Sequence, residues 1–165
     1  MADSPATLDP TDWQAFRNQL HQLVDACVSH LEDLRERPWR PFDETARQGV
    51  ALGDARQGAG LAATAQAMIA AILPHHAGNT HPRFFGWVQG TGTMAGLMAE
   101  IVAATMNSNC GGRDHGAIYV EREVIRWCAD CFGFPATASG VLLSGTSQAT
   151  VIALAAARLQ ALGAD

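Results

Sequence analysis

The chain has 165 residues, 48% of them hydrophobic and 16% charged, enough apolar side chains for one ordinary globular core or for part of a larger one. Its formal charge is −5, and its 11 basic residues, every one an Arg, are scattered singly, which argues against a nucleic-acid surface built on phosphate neutralisation. With no Lys anywhere, chemistry that needs a lysine amine is beyond this chain alone.

Met1 to Asp12 carries Asp3, Asp9 and Asp12 and no apolar run, unlike a secretory signal or an Arg-rich transit peptide, so a cytoplasmic protein is expected. The most apolar stretches, Leu61 to Leu73 and Val151 to Leu159, fall short of the roughly 20 residues a membrane span needs. Cys27, Cys110, Cys128 and Cys131 are too few and too irregular for a disulfide framework, and free thiols are expected.

Thr11 and Gln14 match a capping box and predict a helix start. Apolar residues then recur at Trp13, Phe16, Leu20, Leu23, Cys27 or Val28, Leu31 and Leu34, a narrow stripe suited to a partner helix or another subunit. Pro38 and Pro41 end that helix in an extended connection, and a stretch dotted with Gly49, Gly53, Gly58 and Gly60 leads to a second helix over 61–73, stopped by Pro74. His81 to Val88 reads as a short extended piece followed by a turn. A third helix is predicted over 94–105 and a loop over 107–116. A fourth helix covers 119–132, capped by Gly133 with Pro135 beyond. Gly140 to Leu143 is predicted as a short buried strand, Ser144 to Ser147 as a turn and Ser147 to Leu162 as a final helix, the order that begins an α/β unit.

The turn Ser144-Gly-Thr-Ser147 is the most informative local feature. Amides at a helix N-terminus lack intrahelical acceptors and sit at the positive end of the helix dipole, and neighbouring hydroxyls add donors, so the turn reads as a phosphate cup. It has neither the Lys nor the spacer of a Walker loop. An N-cap serine closing an ordinary strand-to-helix turn explains the same residues, and the turn alone leaves both readings open. Gly90, Gly92 and Gly96 mis-space a dinucleotide loop, and backbone that admits a close neighbour is the better reading.

Cys110, His115, Cys128 and Cys131 have the composition of a zinc set, but Cys128 and Cys131 fall on the apolar stripe of the fourth helix, where reduced Cys packs as a small hydrophobe. His75, His76 and His81 lack a helical i,i+4 pair, which favours an interface or a loop hydrogen bond over a metal. Glu121, Arg122, Glu123 and Arg126 read as a solvated charge lattice. Arg83, between Pro82 and Phe84, has no evident surface purpose and suits an anionic neighbour.

Three segments, in order, resemble one family: His81-Pro-Arg-Phe-Phe-Gly-Trp-Val88; then Asn107 to His115 with Val120 to Trp127; then Gly133-Phe-Pro135 with Ser139 to Thr150. They are similar to the pyridoxal-phosphate-dependent group II amino-acid decarboxylases, the branch with the aromatic-amino-acid, histidine and cysteine-sulfinate enzymes. The resemblance runs from about Leu34 to the end and favours the phosphate cup.

The resemblance implies an α/β fold, in which an N-terminal helical dimerisation arm (1–78) precedes the first part of a type I pyridoxal-phosphate large domain (79–165). It implies a homodimer with active sites at the subunit interface and decarboxylation of an L-amino acid, aromatic ones included, through an external aldimine. At matching positions Thr146 and Ser147 would hold the cofactor phosphate. Trp87, Val88 and Gly90 would wall the substrate pocket, and Asn109 and Gly111 fall where the partner subunit reaches in. Gly90 stands where the aromatic enzymes often carry a hydroxyl, and Gln148 stands where the motif usually has Glu. The family's cofactor-binding Lys, ring-pairing Asp and ring-stacking His lie later than this sequence. The chain is therefore expected to be the first third of such an enzyme and inactive alone. A non-catalytic dimerising fragment and, more weakly, a zinc module are the alternatives.

Overall fold

The computed structural model describes residues 9–39, 58–90, 92–111 and 114–163. Gly49, Gly53, Pro41 and the acidic residue Asp3 lie outside them, as do Gly112 and Arg113 of the second resembling segment. The chain divides into two compact units, Met1–Leu97 and Met98–Asp165. Regular structure among the described residues is entirely helical.

In the first unit, α1 spans Trp13–Glu32 and runs into a 3-10 turn at Asp33–Arg35. Its cap is Asp12 rather than the expected Thr11. From an extended backbone, the Asp12 carboxylate accepts the N–H groups of Gln14 and Ala15, each at 2.9 Å. A carboxylate satisfies two orphan amides and complements the helix dipole, which a hydroxyl one residue earlier cannot match. The shielded face holds Phe16, Leu23, Cys27, Leu31 and Leu34, much as the spacing predicts, while Trp13 and Leu20 remain exposed. Among the described residues Leu34, 8% exposed, is the one buried apolar side chain, and it is joined by His30 at 6%.

Helix α2, Leu61–Ala67, continues as a π-helical turn at Met68–Ile72 and a 3-10 turn at Leu73–His75, and α1 packs on all three. Pro74 accounts for this ending. It has no N–H for the carbonyl four residues back, and its ring presses on that turn, so the last turns widen and then tighten. Beyond it, His81 donates its backbone N–H to the Gly78 carbonyl and Phe84 to that of His81, both at 3.0 Å, winding the chain through two successive turns.

Helix α3, Met94–Met106, is started by Thr93, whose Oγ1 accepts the Gly96 N–H at 3.0 Å, and stopped by Asn107 at φ +45. In the second unit α4 spans Gly116–Cys131. Gly133, at φ +70, lets Phe134 N–H reach back to the Ala129 carbonyl at 2.9 Å, a Schellman closure ahead of Pro135. Helix α5, Thr146–Leu162, ends at Gly163 in the same left-handed region.

The expected strand at Gly140 to Leu143 is not formed. A parallel strand exists only through neighbours that take its amides and carbonyls, and among the described residues there is no other strand to supply them. The segment rests on α4 instead: Leu142 N–H donates to the Glu121 carboxylate at 2.9 Å, and Gly140 lies so close that an added Cβ would stand 3.2 Å from the Ile125 side chain. Val141 and Leu142 stay exposed. The four cysteines are free thiols. No helix among the described residues is long and apolar enough to cross a membrane.

Candidate functional site

The start of α5 has the geometry of an anion site. Gly145 precedes it with extended backbone, no side chain caps the first-turn amides, and an added Cβ on Gly145 would meet nothing within 4 Å. Thr146 and Ser147 are exposed there, and Ser144 Oγ donates to Gln148 Oε1 at 2.9 Å, so the cap position is Gly145 and no serine of the turn serves as the N-cap. Residues 144–148 carry no charge. The donor set, bare amides plus the Thr146 and Ser147 hydroxyls at a positive helix end, fits a phosphate dianion.

A second feature lies in the first unit. Trp39, Ala77, Arg83, Phe84, Phe85 and Trp87, with Gly86, line an open cavity of about 340 Å³. The loop holding it is closed by Asn79 Nδ2, which donates to the Gly90 carbonyl at 2.7 Å. Trp87 sits at φ +51, in the left-handed region that a bulky side chain rarely adopts. Phe85, Trp87 and Val88 all stand exposed here, Val88 fully, at 105%. Arg83 therefore has an aromatic setting that its sequence position alone did not reveal.

Asn109 and Gly111 form a tight turn in the second unit. Asn109 Oδ1 accepts the Gly111 N–H at 2.9 Å, and the Asn109 carbonyl lies 2.7 Å from His115 Nε2, which donates to it. His115 Nδ1 is buried without a partner. The structure thus brings Trp87 with Val88 and Gly90, Asn109 with Gly111, and Thr146 with Ser147, as three local groups.

The cysteine and histidine set is not assembled. Among the described residues no three His, Cys, Asp or Glu side chains stand together as metal ligands. Glu123 and Arg126 pair at 2.6 Å on the solvent face of α4, where the hydrogen bond from Arg126 lowers the Glu123 pKa and raises that of Arg126. Tyr119 donates to Asp114 at 2.6 Å, and this bond raises its pKa.

Sequence reasoning missed the burial of His30. Its signal was present, since His30 stands three residues after Cys27 and four before Leu34, on the apolar stripe itself.

The chain is similar to curated decarboxylases, two of which illustrate the likeness. It is 26% identical over 159 residues to an aromatic-L-amino-acid decarboxylase of Bacillus atrophaeus, covering 92% of this chain and 32% of that protein. It is 25% identical over 177 residues to tryptophan decarboxylase 1 of Oryza sativa subsp. japonica, covering 94% of this chain and 33% of that protein. The chain spans about a third of the length of these curated relatives. No family model matches it, and no solved structure matches it. The likeness is that of a distant homologue of part of a decarboxylase.

Proposed function

We propose that this chain is the N-terminal portion of a pyridoxal-phosphate-dependent carboxy-lyase that removes the α-carboxylate of an L-amino acid, with an aromatic side chain as the preferred class. The observation that carries the reading is the likeness of nine-tenths of the chain to decarboxylases of aromatic amino acids. The open start of α5 supports the cofactor assignment, and the aromatic cavity around Trp87 supports the substrate class.

In this reading Thr146 and Ser147 bind the phosphate through their amides and hydroxyls. Trp87, Val88 and Gly90 shape the side-chain pocket, and Asn109 and Gly111 reach in from the partner subunit. The whole protein is a cytoplasmic homodimer of type I α/β fold in which α1 clasps the partner. When bound, the cofactor supplies the electron sink that lets carbon dioxide leave. This chain contributes binding and orientation only, because it has no Lys to hold the aldehyde.

The absence of Lys also favours a second reading, a non-catalytic dimerising or regulatory fragment. The two are separated by assaying carbon dioxide release from L-tryptophan and L-phenylalanine. Release is expected from a polypeptide joining this chain to a lysine-bearing C-terminal portion and not from this chain alone. A joined polypeptide that binds the cofactor yet releases nothing from any amino acid contradicts the enzyme reading. For the cofactor site, the chain should retain pyridoxal phosphate in equilibrium dialysis better than its Thr146→Ala/Ser147→Ala variant does, and equal retention contradicts that assignment.

A further inference from the structure

Below the last turn of α1 lies a knot of imidazoles that the proposed reaction does not use. The His30 and His76 rings meet edge to face, with centroids 5.2 Å apart. His76 Nδ1 accepts the Gly78 N–H at 2.9 Å. His81, 4% exposed, accepts the Arg83 N–H at Nδ1 (3.0 Å), which leaves its Nε2–H to donate to the Arg37 carbonyl at 3.1 Å. The first and second of these hydrogen bonds shape the 76–83 loop, and the third ties it to Arg37. The fit is tight, for Gly78 sits at φ +88 under Trp39, and an added Cβ would stand 2.5 Å from the Trp39 carbonyl oxygen.

The arrangement of His76 demands a neutral ring. With Nδ1 accepting, its single proton lies on Nε2, which is buried and has no partner. A second proton would set Nδ1–H against Gly78 N–H and leave both without an acceptor, beside an Nε2–H that already has none. Among the described residues the groups facing His76 are His30 from α1, Arg37 from the segment after it, and His81 from its own loop. Asp33 is the carboxylate of the knot among the described residues, and it pairs with Arg37 at 3.5 Å. No acid among the described residues stands ready to compensate a cationic imidazole at His76.

We propose that His76 is an acid-sensitive latch: its neutral ring holds the Gly78 turn beneath Trp39, and its protonation releases the loop and opens the aromatic cavity of Trp39, Arg83, Phe84 and Trp87. The direction of its titration agrees. Desolvation first, then electrostatic interaction with His81 and with the Arg37 guanidinium, lower the His76 pKa from 6.5. The folded state thus takes up its proton at lower pH than the unfolded chain does. The latch is fully in place above 6.5 and is lost as pH falls through the folded value. His30 is lowered in the same sense, by desolvation and by Arg37 and His76, against Asp33.

The test uses the full chain, titrated from about pH 8 to about pH 5. Imidazole nitrogen resonances report the His76 tautomer, and the Gly78 amide reports hydrogen-exchange protection. The expected result is an Nε2–H tautomer at the high end and loss of Gly78 protection, with a shift of the Trp39 indole resonance, at the His76 midpoint. The His76→Asn variant retains a side-chain oxygen able to accept two residues on, as in an Asx turn, and cannot titrate. It should hold Gly78 protected throughout. A His76 midpoint at or above 6.5, or a Gly78 transition that persists unchanged in His76→Asn, overturns the proposal. Should the variant lose its helical signal, the wild-type tautomer and midpoint decide alone.

Discussion

The two units of the chain treat the same kind of sequence differently. In the first, α1 lies on α2 and its continuation, burying Leu34 and His30, and the following loop is clamped by hydrogen bonds on His76, Asn79 and His81. In the second, α4 and α5 each form as regular helices yet are not packed along one another, and Val120, Trp127, Val151 and Leu154 stay exposed. Helix formation needs only local propensity and ends that are capped or free. Stability needs an apolar face to find a partner. Among its described residues the second unit has regular helices whose apolar side chains find little cover.

The sharpest way to break this contrast is Gly78→Ala. A left-handed backbone and a Cβ at 2.5 Å from Trp39 act together, so the first unit should lose about 3 kcal/mol in urea denaturation. A loss under about 1 kcal/mol would show the loop to be free rather than clamped. Identical chemistry at two places tests the contrast next. Leu34→Ala should cost about 2 kcal/mol, toward the lower end for buried leucines because the neighbouring stripe is half-exposed and can collapse. Leu154→Ala should change stability by less than about 0.5 kcal/mol, since that side chain is already in water. Equal costs would mean that the second unit buries a core after all. Asp12→Ala should then cost about 1 kcal/mol through loss of the α1 cap, with Asp12→Asn restoring most of it. Smallest of all, Glu123→Gln should leave the denaturation midpoint unmoved, because its pair with Arg126 is exposed.

Helices proved the most legible part of the fold because their signals are local. The α1 stripe, the Pro74 stop, the helix over 94–105 and the Gly133 cap all follow from spacing and from residues with special backbone freedom. The strand at Gly140 to Leu143 did not follow, because β-branched and leucine content marks a segment able to join a sheet, and joining depends on residues far away in sequence. Its amide at Leu142 went to Glu121, a residue that the sequence placed in a surface charge lattice. At the site, the Ser144 to Ser147 turn was legible as a helix start. The cavity beside Arg83 was not, since it needs Trp39 brought against a loop some forty residues on. His30 was hidden by its residue type, although its position on the stripe announced it.

The account rests most heavily on the start of α5 as a phosphate grip, and amide resonances of Thr146, Ser147 and Gln148 test it directly. Pyridoxal phosphate added to the chain should shift these three amides, pyridoxal without its phosphate should leave them in place, and inorganic phosphate should compete. Equal shifts with both pyridoxal forms, or no movement at these amides while others respond, would contradict the account.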